Sequence, residues 1–316
     1  MELVSVGTPA LWLGFIGFIL AMLALDLGVF HRKEHEVGVK EALGWTCAWI
    51  TLALVFNYGI YEYFGKQLAL EFLTGYLIEK SLAVDNIFVF VVIFSALAVP
   101  KIYQHRVLFW GVLGALVMRA AFIFLGAALI QAMHWVLYIF GALLIVTGIK
   151  LLVRKEEEVH PEQNPLFRFF KKVIPSVPDY HGSAFTIIKE GKRYATPLLL
   201  VLISVEITDL VFAVDSIPAI FAVTEDPFIV FTSNIFAILG LRSMYFLLAN
   251  VIDRLHLLKV GLALVLIFVG TKMVIVDFFK VPVVVSLLVI ATLIGGSVAA
   301  SLLIPPREKS SPTPPA

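Results

Sequence analysis

The stretch Glu79-Lys-Ser-Leu-Ala-Val-Asp85-Asn86-Ile87 lies inside a long apolar run. It returns, changed in detail, as Asp209-Leu-Val-Phe-Ala-Val-Asp215-Ser216-Ile217 inside another. In each copy an acid is followed six residues later by the Asp of Ala-Val-Asp, then by a small polar residue and Ile. The likeness continues downstream. Arg119 and Arg242 each sit in the next Gly/Ala-containing run. Leu-Ile-Val-Thr-Gly148-Ile-Lys150 then matches Leu-Ile-Phe-Val-Gly270-Thr-Lys272, with Arg-to-Lys separations of 31 and 30 residues. Each unit therefore holds three apolar runs. Three is odd, so if the runs cross a membrane the second copy enters from the opposite side. Many secondary transporters use such inverted repeats to place a site at the membrane midplane.

Composition supports a lipid solvent. Of 316 residues, 60% are hydrophobic and 15% charged, and mean hydropathy is +0.97. Soluble domains run at about 45–50% apolar and about 25% charged. This balance excludes an ordinary soluble enzyme, a disordered protein and a nucleic-acid binder. The formal net charge of +1 offers no field for a polyanion. A single cysteine, Cys47, excludes a disulfide framework and a thiolate metal cluster within the chain.

A transmembrane helix takes about 20 apolar residues. Nine runs qualify, at roughly 9–30, 42–64, 68–99, 107–130, 134–153, 196–222, 228–251, 257–277 and 281–304. The expected fold is an all-α polytopic membrane protein of about nine transmembrane helices, with inverted three-helix repeats in spans 3–5 and 6–8. The third run is long enough to require tilt or a break. Residues 1–304 form one transmembrane domain that includes an aqueous loop, 154–195. The Pro/Ser-rich tail 305–316 is read as disordered. The first span lacks a basic n-region, is too long for a signal-peptide core and carries Asp26, so it is read as retained.

Lys and Arg placement sets the orientation. Arg32, Lys33, Lys40, Lys101, Arg106, the cluster from Arg154 to Arg193, Arg254, Lys259, Arg307 and Lys309 fall on one side. Lys66 and Lys280 fall on the other. The expectation is an N-terminus outside and a C-terminus in the cytoplasm.

Asp26, Glu79, Asp85, Glu206, Asp209 and Asp215 lie within apolar runs, as do Lys80, Arg119, Lys150, Arg242 and Lys272. A charge at the bilayer centre costs several kcal/mol, of order 2.5–3.5 by insertion, unless paired or hydrated. Glu206 and Asp209 are three apart and share a helix face. Glu79 and Asp85, like Asp209 and Asp215, are six apart, about 120° around a straight helix. One rigid helix would not aim both acids at one point, so a break near each Ala-Val-Asp is expected, favoured in span 6 by Pro218. The acids, with Asn86, Ser81, Ser216 and Thr208, form an all-oxygen set suited to Mg²⁺, Ca²⁺ or Mn²⁺. Protons compete for carboxylates, which allows exchange.

A plainer reading keeps the acids as buried ion pairs, with Glu79 facing Arg242 or Asp215 facing Arg119. For Arg119, Lys150, Arg242, Lys272 and Lys80, charge pairing is the expected role. Asp26 stands evenly between site ligand and interfacial residue.

On these residues the chain resembles the TerC family of integral membrane proteins. The features that carry it are Ala-Leu-Asp26-Leu-Gly-Val-Phe-His31-Arg-Lys, Glu79-Lys-Ser81-Leu-Ala-Val-Asp85-Asn86, and Asp209 to Ser216. The resemblance covers about 10–304. It implies a bacterial inner-membrane or organellar protein of the lysine-exporter-like superfamily that exports manganese, with links to tellurium-compound resistance and to metal loading of exported proteins. It assigns cation handling to Glu79, Asp85, Asn86, Asp209, Asp215 and Ser216, with Asp26 joining them.

The resulting expectation is a bacterial inner-membrane exporter of a divalent cation, Mn²⁺ before Ca²⁺ or Mg²⁺, with metal ligands Glu79, Asp85, Asn86, Asp209, Asp215, Ser216, Asp26 and Glu206. No enzyme activity and no prosthetic group is expected. With no Walker-type run in the sequence, proton or membrane-potential coupling is left. An inside-negative potential opposes dication exit by about 4.6 kcal/mol per 100 mV. The alternative is a non-transporting membrane partner or chaperone in metal loading or insertion of exported proteins, docking through 154–195. Weaker rivals are an intramembrane aspartyl protease built on Asp85 and Asp215, and a carrier of a cationic amino acid. Partners beyond the cation and the bilayer are a second copy of the chain or an exported protein.

Overall fold

The computed structural model describes residues 5–25, 38–133, 135–153, 175–189, 191–249, 255 and 257–304. Asp26, the 154–174 part of the loop and the 305–316 tail lie outside the described residues, as does the side chain of Asp85. In order the chain runs α1 (Pro9–Leu25), α2 (Val39–Phe64), α3 (Lys66–Ala96), α4 (Lys101–Ala132) and α5 (Val136–Val153). A hairpin follows, β1 (Thr186–Lys189) and β2 (Lys192–Ala195). Then come α6 (Pro197–Phe221), α7 (Pro227–Leu239), α8 (Leu241–Leu248), α9 (Leu258–Val274) and α10 (Val283–Leu303).

Large apolar side chains stand exposed along these helices, among them Leu13, Val55, Val117, Leu125, Val211 and Leu288. In water such surface would drive aggregation, whereas in lipid it is the ordinary outer face. Among the described residues, five helices (α2, α4, α5, α6 and α10) are long and apolar enough to cross a membrane. The number is six if α7 and α8 are one bent span. α3 runs 31 residues but carries Glu71, Glu79, Lys80 and Asp85, while α9 has 17 residues.

The expected breaks are not where the sequence placed them. α3 is continuous helix through 80–87, and α6 through 210–217. Pro218 lies in the last turn of α6, which ends at Phe221, so its missing N–H interrupts little helix. The bend falls instead in the next span, between α7 and α8 at Gly240, and measures 40°. Lys80 packs against it. The Lys80 ammonium donates to the Ala237 carbonyl at 3.3 Å and fills the space a side chain at position 240 would need. It thus serves both the partial negative charge at the end of α7 and one of the carbonyls freed there.

α3 is central, packed by α2, α6, α7 and α10, while α4 lies on α6 and α7. α2 and α3 are joined by Gly65 alone, at φ +90°, a conformation that needs glycine. α1 is held by rings: Trp12 and Phe15 pack on Phe228 and Phe231, and Phe15 also meets Phe56 and Phe236. Asp226 caps α7 by accepting from the Phe228 and Ile229 amides, and also accepts from Ser5 Oγ and the Val6 amide. On the loop side, Tyr180 donates to the Leu97 carbonyl at 2.7 Å, and Arg106 donates to Ser183 Oγ at 2.7 Å. Burial pushes the Tyr180 phenol above its ordinary value. The described part of the loop is therefore fastened to the ends of α3 and α4.

α5 and α9 pack backbone to backbone. A Cβ at Gly141 would lie 2.8 Å from the Gly270 carbonyl oxygen, and one at Gly270 would lie 2.6 Å from that of Gly141. Gly148 meets the Ala263 carbonyl in the same way, at 2.7 Å. No side chain moves aside to admit a Cβ there, so the helices must separate. Gly270→Leu is expected to cost about 1–3 kcal/mol or more of stability, read as a lowered unfolding temperature in detergent. An unchanged temperature would mean the contact is looser than the structure has it.

Candidate functional site

Two heptad-spaced pairs meet at the centre of the bundle. Glu79 and Asn86 share a face of α3, and Asp209 and Ser216 share a face of α6, because seven residues are nearly two helical turns. All four side chains are buried. Between them lies Arg119 of α4, 1% exposed. Its Nε and Nη2 donate to the two oxygens of Asp209, at 3.2 and 3.0 Å. Its Nη1 donates to Glu79 Oε1, and also to Ser216 Oγ at 3.3 Å and Asn234 Oδ1 at 3.4 Å. Asn86 donates to Asp209 Oδ1 at 3.5 Å. Four helices, α3, α4, α6 and α7, thus converge on one guanidinium.

An arginine presents a planar fork of donors and no acceptor, and stays charged in proteins. Here it faces two carboxylates, so with both ionised the cluster carries one net negative charge. Glu79 Oε2, Asn86 Oδ1 and Asn234 Nδ2 are buried without a hydrogen-bond partner among the described residues. Two of these are oxygens with lone pairs unused. Among the described residues, no group of three or more His, Cys, Asp or Glu stands ready to hold a metal.

Among the described residues, the other expected ligands stand outside the contacts of Arg119. Asp215 does not join the cluster: it accepts from Thr147 Oγ1 of α5 at 3.0 Å. The straight α6 sends Asp209 and Asp215 to different neighbours, as six-residue spacing requires. Glu206, half-buried, lies against Gly114 of α4, where any side chain would collide with its carboxylate. Ser81 and Thr208 donate to carbonyls of their own helices, Leu77 and Ser204, and leave the site.

Of the proposed ion pairs, Glu79 with Arg242 and Asp215 with Arg119 are both replaced: Arg119 takes Glu79 and Asp209. Arg242 begins the turn after the bend and lines a small cavity with Trp45, Trp49, Leu239 and Phe246. Lys80 serves the end of α7. Lys150 is exposed in the last turn of α5. Lys272 lies half-buried within electrostatic reach of Glu71. Asn234 was not anticipated. Its one sequence signal is the polar run Thr232-Ser233-Asn234 inside an apolar span.

A family model described as integral membrane protein TerC family matches residues 64–309. An uncharacterized membrane protein of Myxococcus xanthus, STKORF319, is 59% identical over 309 residues, covering 98% of this chain and 96% of its own. A protein of Escherichia coli K12 provisionally named membrane-bound redox modulator Alx is 51% identical over 292 residues, covering 90% and 91%. An uncharacterized membrane protein of Rickettsia bellii is 41% identical over 292 residues, covering 92% and 97%. No solved structure matches.

Proposed function

The chain belongs to the TerC family of integral membrane proteins, and from that membership we propose that it exports a divalent cation, Mn²⁺ before Ca²⁺ or Mg²⁺, through the buried carboxylates of α3 and α6. The observation that carries the reading is the cluster itself. Glu79, Asn86, Asp209, Ser216 and Asn234 supply only oxygen or amide groups, buried inside an apolar bundle, with more negative than positive charge. Hard oxygen donors suit these ions. Such a cluster is expensive to bury, and in a membrane that expense marks a transport path more often than a scaffold. By the same reading Asp85, Asp215, Glu206 and Asp26 serve as further cation ligands. Proton exchange on the same carboxylates supplies the drive that exit against an inside-negative potential requires.

Counting α1, α3 and α9 with the five long apolar helices and the bent pair gives the nine-span reading, N-terminus outside, in the bacterial inner membrane. Two reciprocal contacts support the inverted repeat. A shift of 122 residues carries Gly141 to Ala263 and Gly148 to Gly270. Gly141 meets Gly270 while Gly148 meets Ala263, so each position touches the other's counterpart. A shift of 130 carries Glu79 to Asp209 and Asn86 to Ser216. Asn86 bonds Asp209, while Glu79 and Ser216 share one nitrogen of Arg119. Reciprocity of this kind is what a two-fold axis produces.

Cys47 is the chain's one cysteine, so a thiol–disulfide couple within one chain is not available for the redox role in the relatives' name.

The test is Mn²⁺ uptake into inside-out vesicles, with Ca²⁺ and Mg²⁺ as competitors and pH varied. Asp85→Asn and Asp215→Asn are each expected to lower initial uptake at least tenfold in protein that still folds. Wild-type rates in both variants would return these two acids to a structural role, and wild-type rates in Asp209→Asn as well would favour the partner or chaperone reading.

A further inference from the structure

We infer that Arg119 is a resident competitor: its guanidinium occupies the cation site, and a dication enters only as Arg119 withdraws. The inference rests on the carboxylate site proposed above and specifies how it is regulated. It follows from the shape of the contact. Nε and Nη2 take both oxygens of Asp209, while Nη1 takes Glu79. The two carboxylates therefore face opposite edges of one planar group, with that group between them. A metal ion of about 2.0–2.6 Å coordination radius cannot ligate both acids while the fork is in place.

Charge points the same way. Two carboxylates against one guanidinium leave one negative charge, whereas two carboxylates against one dication leave none. A dication joined to the cluster with Arg119 still inside would give one positive charge in a buried site, at high desolvation cost. The unpartnered acceptors Glu79 Oε2 and Asn86 Oδ1 are further oxygens for the incoming ion, and a guanidinium at this position leaves both unused. A built-in competitor also prevents tight trapping. A carrier that bound its cargo too strongly would not release it, and a tethered cation that returns to the site assists release.

The experiment measures Mn²⁺ affinity calorimetrically on the full chain in nanodiscs. Arg119→Gln is expected to tighten Mn²⁺ binding at least tenfold over wild type, because the competitor is gone. In Arg119→Ala, added guanidinium chloride at millimolar concentration is expected to weaken Mn²⁺ binding severalfold and to leave wild type unaffected. A folded Arg119→Gln that binds Mn²⁺ as wild type does, or more weakly, overturns the inference and leaves the transport reading standing. A wild type that neither binds nor moves any dication overturns the transport reading, and this inference with it. Should the Arg119 variants not fold, the wild type decides. Modification of Arg119 by phenylglyoxal, located by mass spectrometry, is expected to rise severalfold with Mn²⁺. Equal protection with and without bound Mn²⁺ overturns the displacement.

Discussion

Asp209→Asn is expected to abolish dication movement while leaving the protein folded. The two effects separate because of the charge balance around Arg119. The wild-type cluster holds two acids against one base. With Asn at 209, Glu79 still matches Arg119, and the amide oxygen still accepts from the fork. Nothing buried is left without an opposite charge, so the structural cost is of the order of one weakened charge-assisted hydrogen bond, about 1.5–3 kcal/mol. Transport loses far more. Two unit charges about 4 Å apart at an effective dielectric constant of about 20 attract by about 4 kcal/mol, and a dication doubles that. Losing even half of it exceeds a hundredfold in affinity, at about 1.4 kcal/mol per tenfold. Initial Mn²⁺ uptake should fall at least a hundredfold, with an unfolding temperature a few degrees below wild type. Uptake within threefold of wild type, in a variant shown to be folded, would remove Asp209 from the path.

The combined change Glu79→Gln with Asp209→Asn is expected to do what neither does alone. Arg119 then stays buried, 1% exposed, with no carboxylate in its contact shell. Leaving one buried charge unmatched costs about 3–5 kcal/mol. The penalty is shared between the two acids and is incurred only when the second is lost, so the two single effects do not add. The double variant should therefore be far less stable than the sum of the singles, read by thermal unfolding in detergent and by yield from the membrane. Additive behaviour within about 0.5 kcal/mol would show that Arg119 has another counter-charge.

Much of this was legible in the sequence, because the cost of burying charge in an apolar run forces an explanation for each charged position. The repeated acid and small-polar spacing picked out Glu79, Asn86, Asp209 and Ser216, the residues that meet at the centre. The downstream arginine of the first copy, read there as a charge partner, is the one at their focus. The six-residue spacing also implied that Asp209 and Asp215 diverge on a straight helix, and they do. The error was to repair that divergence with a break. Pro218 looked like the break but sits where α6 is ending anyway. The real bend, at Gly240, has no proline, and the side chain packed into it, Lys80, bonds a carbonyl 157 residues away in sequence. Asn234 escaped notice because one amide in an apolar run carries little signal until its neighbours in space are known. The close approach of α5 and α9 was hidden in the same way. Glycines matched between repeats suggest packing, but only the folded chain shows which glycine faces which.

The order in which Arg119 meets its partners bears on how the protein is made. α3 and α4 are consecutive, so Glu79 and Arg119 leave the ribosome 40 residues apart. Asp209 follows 90 residues after Arg119, about 5–18 s later at common synthesis rates of about 5–20 residues per second. An arginine at the centre of a lone helix hinders its release into lipid by about 2.5–3.5 kcal/mol. Helix α3, with acids of its own, has the complementary difficulty. The two helices are therefore expected to enter the bilayer as a neutralised hairpin, and the second half of the chain closes around a pair already made.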